Sequence, residues 1–160
     1  MSTFRQWKTI GTIGITLLMA LPATGGIPLP ALGSEILPFR GHVQEVIITA
    51  APNPDGSLQV TATGEGQATY LGRFTRLSHV IVHPEDGSAE GTIVFTAANG
   101  DQLFMDVIGL PTTTASISGT YTFTGGTGRF RDASGGAEFV GLIAPDGLHI
   151  TVAFEGTIQY

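Results

Sequence analysis

Acids set among apolar side chains are the residues of this sequence best placed to do chemistry. Asp106 stands between Phe104 and Ile108 on one face of an alternating run, and Glu155 follows Phe154 in the last such run. Burial among hydrophobes raises a carboxyl pKa, so the group can exchange protons near neutrality. Asp106 and Glu155 are therefore the candidate catalytic residues. Each has a plainer reading. Asp106 would serve equally as a carboxylate at a subunit contact, paired with an arginine. Glu155 would serve as part of a solvated face shared with His149 and Thr151. A ligand beside either acid needs an oxygen partner and an apolar wall, which Tyr121 and Phe104 can supply. Gly72-Arg73-Phe74-Thr75-Arg76 is echoed by Gly128-Arg129-Phe130-Arg131-Asp132. Arg76 and Arg129 are thus candidate anion contacts. The alternative is that such arginines stack on a neighbour and pin a corner through a carboxylate.

Other chemistries find no residues. The sequence has no cysteine, so thiol nucleophiles, thiolate metal sites and disulfides are excluded. No Gly-x-Ser-x-Gly elbow and no P-loop occurs. His79 and His83 share a strand face, but four residues of strand hold them about 13 Å apart, too far for one ion. No His-x-His pair is present, and no cofactor or metal is expected. Trp7 is the lone tryptophan and lies in the leader, which weakens a sugar-stacking or lipocalin-like reading.

The elements that would position these residues are strands. Alternating runs near 41–50, 57–63, 67–83, 88–97, 102–109, 117–124, 136–143 and 148–159 are separated by turn chemistry. Pro52-Asn53-Pro54-Asp55-Gly56, Pro84-Glu85-Asp86-Gly87, Asn99-Gly100 and Pro145-Asp146-Gly147 are strong hairpin signals. About eight strands joined by hairpins form an antiparallel meander, and closing it into a barrel removes its two open edges. Glycine, 23 of 160 residues and about twice the usual share, suits the corners of such a barrel. Two strands are apolar on both faces. In one, Leu103, Met105 and Val107 oppose Phe104, Asp106 and Ile108. In the other, Leu77 and Ile81 oppose Phe74, Val80 and Val82. Outer cover from a second subunit would explain both, so a homo-oligomer, dimer or trimer, is expected.

Residues 1–33 read as a signal peptide. Arg5 and Lys8 precede an uncharged apolar run from Thr9 to Ala23, and Ala31-Leu32-Gly33 offers a small-residue cleavage site. The expected product is exported, periplasmic or extracellular, with a short arm at 34–40 and a single barrel domain at 41–160. It keeps five arginines against all 13 acids, a net charge of −8. Such a surface disfavours nucleic acid and anionic membranes.

Three glycines in four residues mark the most specific segment. Thr124-Gly125-Gly126-Thr127-Gly128-Arg129-Phe130-Arg131-Asp132-Ala133-Ser134-Gly135 resembles the Gly-Gly-Thr-Gly-x-Phe-x-x-Ala-x-Gly corner of allene oxide cyclase and dirigent-type barrels. Gly66-Gln67-Ala68-Thr69-Tyr70-Leu71-Gly72-Arg73-Phe74-Thr75 and Thr96-Ala97-Ala98-Asn99-Gly100-Asp101 resemble a group of exported bacterial barrels without assigned activity. The resemblance implies an all-β fold, an eight-stranded antiparallel closed barrel of allene oxide cyclase type, often trimeric, with an apolar interior. It implies a small hydrophobic ligand in that interior; with the two doubly apolar strands, the expected function is binding of such a ligand or service as an assembly scaffold. The alternative is a cofactor-free isomerase or cyclase acting on a hydrophobic intermediate. The glycine corner is scaffold in those families, and none of their catalytic motifs can be matched here.

Overall fold

Four turn sequences close four antiparallel hairpins in the computed structural model, which describes residues 35–160. The expected signal peptide, 1–33, lies outside the described residues. The strands are β1 (Leu37–Pro52), β2 (Leu58–Ala68), β3 (Gly72–Val82), β4 (Ala89–Ala97), β5 (Gln102–Thr113), β6 (Ser116–Gly126), β7 (Ser134–Ile143) and β8 (His149–Gln159). Each pairs with its sequence neighbour, and β8 returns to β1, closing the barrel. The β1–β2, β3–β4, β5–β6 and β7–β8 turns therefore share one rim, the hairpin mouth. The β2–β3, β4–β5 and β6–β7 connections share the other, the corner mouth.

Two boundaries differ from those the sequence predicts. β1 starts at Leu37, so most of the expected arm at 34–40 is strand, and Phe39 is fully buried. Pro38 is tolerated because β1 pairs with β8 from Leu37 but with β2 only from Gly41, leaving one edge free of ladder bonds. The expected strand at 67–83 is broken at Thr69–Leu71, where Tyr70 turns the chain with φ 65°. A tyrosine there gives no turn signal. Conversely, Gly64-Glu65-Gly66 reads as a break and is continuous β2.

Rings fill the interior. Phe154 lies 5.4 Å from Phe39, 5.6 Å from Phe95 and 6.0 Å from Tyr121, centroid to centroid. Phe74 stacks on Phe95 at 4.3 Å and Tyr121 on Phe139 at 4.6 Å. Eight strands leave room for side chains and little else. Rings fit because glycines yield space beside them: a Cβ on Gly41 would lie 2.6 Å from Phe154, and one on Gly66 2.7 Å from Phe74.

The glycine segment closes the corner mouth. β6 bulges at Thr124, and a single 3₁₀ turn, Gly128–Phe130, follows. The Thr127 hydroxyl accepts the Gln102 N–H at 2.9 Å, tying the corner to β5. The turn delivers Phe130, fully buried, under Tyr160 at 5.1 Å.

Candidate functional site: a buried acid, arginine and tyrosine

Alternation sends an acid and a base to the inside. On β1 the inward set is Val43, Glu45 and Ile47; on β3 it is Phe74, Arg76, Ser78 and Val80. Gly64 of β2 stands between Glu45 and Arg76 in register. It has no side chain to separate them, so the guanidinium reaches across it. A Cβ there would lie 2.3 Å from the Gln44 carbonyl oxygen and 2.8 Å from the Glu45 Cα.

Three oxygens surround Arg76. Its Nε is 2.9 Å from Glu45 Oε2 and donates to Ser78 Oγ at 2.8 Å. Its Nη1 donates to the Tyr121 hydroxyl, 3.0 Å away on β6. Ser78 in turn donates to Glu45 Oε2 at 3.3 Å. The guanidinium carbon also lies 5.7 Å from the Tyr121 ring centroid. Both members of the ion pair have side chains 6 % exposed.

The environment shifts two of these groups. Burial pushes the Glu45 carboxyl above its ordinary pKa; the Arg76 charge and the Ser78 hydroxyl offset part of that rise. Burial likewise raises the Tyr121 hydroxyl, with the Arg76 charge opposing and the Glu45 charge adding. The cluster is thus an acid with raised proton affinity, linked through Ser78 and Arg76 to a phenol. It can take up a proton at Glu45. A guanidinium with five N–H groups can also hold a ligand oxygen.

Arg76 and Tyr121 come together here as two of the expected ligand contacts. Glu45 and Ser78 join them, and the sequence reading missed both. A signal existed: an acid on the apolar period of β1 and an arginine on the apolar period of β3 are complementary misfits. Asp106 and Glu155 lie elsewhere. Both are exposed on the outer wall, which corrects the expectation of an acid in an apolar pocket at either position. Leu103, Met105 and Val107 take the interior, so Asp106 goes outward with Phe104 and Ile108. Phe154 takes the interior, so Glu155 goes outward too. Phe104 is half-buried on that outer wall and lines no interior site. Arg129 sits at the corner mouth, 4.8 Å over the Phe130 ring and 3.7 Å from Asp101. It pins a corner and does not meet Arg76. His79 is exposed, its Nδ1 3.2 Å from the Thr61 hydroxyl. Among the described residues no cluster of three His, Asp or Glu could hold a metal ion.

No protein-family model matches the chain, and neither does any curated protein. Solved structures do match. The pterocarpan synthase dirigent protein GePTS1 superposes with a TM-score of 0.60 at 13 % identity, covering 80 % of this chain and 92 % of its own. This barrel has the dirigent fold. A second pterocarpan synthase dirigent protein, PsPTS1, gives 0.55 at 11 % identity, covering 80 % of this chain and 97 % of its own. The shared feature is the closed eight-strand barrel.

Proposed function

We propose that this dirigent-like barrel is an exported assembly unit that associates with copies of itself through the outer wall of β3–β5. One observation carries the reading. Leu77, Val94 and Phe104 stand side by side across three strands on the outside; His79, Thr92 and Asp106 form the next outer row, and Ile81 and Ile108 lie one row further on, either side of Glu90. Leu77 is 41 % exposed and Ile108 60 %. Apolar side chains contiguous over three strands favour a partner over water. The interior supports the same reading, since rings already occupy it. Asp106 lies within this wall, between Thr92 and Thr122, where a partner's donor could reach it. Native mass spectrometry of the protein recovered from its host tests the proposal. A dimer or trimer is expected, and Leu77→Asp should reduce it to monomer. A wild-type monomer at tens of micromolar would refute it.

A second reading rests on Glu45. A carboxyl of raised pKa linked through Arg76 to Tyr121 suits proton transfer on a small hydrophobic ligand, as in a cofactor-free isomerase or cyclase. The same mass spectra would reveal a retained ligand. Glu45→Gln should abolish turnover of that ligand while leaving the oligomer intact. Unchanged turnover would remove Glu45 from this role.

A further inference from the structure

We infer that the outer wall of β5–β8 is a second docking surface, for a basic segment of a partner protein with aliphatic flanks. An open groove of about 580 Å³ runs along it. Its floor is small: Ser118, Gly119 and Thr120 of β6 and Ala153 of β8. Large aliphatics stand on either side of β6. Ile108 and Leu110 of β5 are 60 % and 56 % exposed, and Val140 and Leu142 of β7 are 52 % and 60 % exposed. In register, Leu110, Ser118, Val140 and Ala153 form one row, and Ile108, Thr120, Glu138 and Glu155 the next. Val140 lines the groove and Ile108, Leu110 and Leu142 stand beside it, so small residues lie between large ones, a shape that receives protruding aliphatic side chains.

Charge selects the occupant. Glu138 and Glu155 are directly opposed on β7 and β8, and both line the groove. Directly opposed like charges on a sheet destabilise it. Arg40 of β1 flanks Glu155 on its far side, but Glu138 has Thr120 and Glu155 as its row neighbours. A cation arriving over the pair relieves the repulsion. The described residues carry five arginines against 13 acids, so long-range attraction favours the same partner. A second copy would bring this acid pair against another acidic surface, which disfavours self-association here. Along this wall β6 and β7 are each paired on both sides, so contact is made through side chains. The surface adjoins the β3–β5 wall at Ile108, which belongs to both, but the groove lining comes from β6, β7 and β8 and shares no residue with the Leu77–Val94–Phe104 row.

The test uses a fluorescein-labelled decapeptide of alternating Leu and Lys, titrated with the full-length protein at 0.15 M salt and read by anisotropy. Saturable binding is expected. Glu138→Gln with Glu155→Gln should weaken it about tenfold, and Val140→Ser should weaken it several-fold. The acid-pair variant should unfold at the same or a higher temperature than wild type, since a repulsion is removed. Peptides with Ser for Leu, or Glu for Lys, should not bind. Three results would overturn the inference. One is equal binding by the acid-pair variant. Another is equal weakening by Glu65→Gln with Glu85→Gln, which removes as much charge elsewhere and would reveal bulk attraction alone. The third is an oligomer that Val140→Ser dissolves, which would make a second copy the occupant.

Discussion

Replacing Arg76 with methionine strands Glu45, and the cost of stranding it must depend on pH. The substitution roughly conserves volume, removes the 2.9 Å ion pair and removes the bond to Tyr121. Glu45 then sits in an apolar interior without its cation. Breaking a buried pair from one side typically costs about 3–5 kcal/mol. Here there is an escape, because the carboxyl can take a proton. From the ordinary value of 4.5, protonating it costs about 3.4 kcal/mol at pH 7 and about 0.8 kcal/mol at pH 5. Those figures cap what the stranded charge can contribute. The sign follows from the raised folded pKa. Stability from this group is fully present below the unfolded value and is lost as pH rises through the folded one. The wild type carries a weaker form of the same dependence, since its Glu45 is also raised. Lost packing and the lost Tyr121 bond do not change over this pH range. The variant should therefore trail wild type by up to about 2.6 kcal/mol more at pH 7 than at pH 5, on the order of 10 °C in midpoint. Thermal unfolding followed by circular dichroism at the two pH values measures it. Glu45→Gln combined with Arg76→Met should flatten the difference. An equal deficit at both pH values would show that Arg76 does not hold a buried carboxylate.

Gly64→Ala places a Cβ against the Gln44 carbonyl and the Glu45 backbone, atoms that cannot move without opening the β1–β2 ladder. A loss of about 3 kcal/mol or more is expected in chemical denaturation, and a loss below 1 kcal/mol would contradict the close approach. Phe130→Ala removes the fully buried ring that closes the corner mouth. It should cost about 3–5 kcal/mol in the same assay, and dye binding should report a newly opened end.

Hairpins were legible because their turns are written in local chemistry. Asn53, Asp55 and Gly56, or Asn99 and Gly100, need no tertiary information to bend the chain. The eight-strand meander and its closure followed from them. What escaped depends on neighbours distant in sequence. Tyr70 adopts a left-handed turn between two paired strands, and nothing local announces it. β1 extends back to Leu37 because β8 is there to pair with it, 121 positions away at Ile158. Strand β5 is apolar on both faces, so alternation alone could not say whether Asp106 points in or out. Phe154, Phe95 and Tyr121 decide it by filling the interior. Arg76 and Tyr121 were legible as candidates one at a time. Their convergence with Glu45 required three strands and the gap at Gly64.

That gap also bears on how the barrel finds its register. A one-residue slip of β2 against β1 would turn apolar faces to water, so burial forbids it. A two-residue slip keeps every side chain on its proper face, and hydrophobicity alone cannot exclude it. The Glu45–Gly64–Arg76 row can. Slipped by two toward Ala62, Glu45 faces a Cβ where its cation must pass. Slipped toward Gly66, it meets the ring of Phe74, since Phe74 is the β3 partner of Gly66. Either way a carboxylate is left buried without a charge partner, at about 3–5 kcal/mol. A buried ion pair adds little net stability over well-packed hydrophobes, but it penalises the wrong pairing heavily. Such a row would be worth keeping in a barrel whose interior is otherwise a stack of interchangeable rings, whether or not Glu45 ever handles a substrate proton.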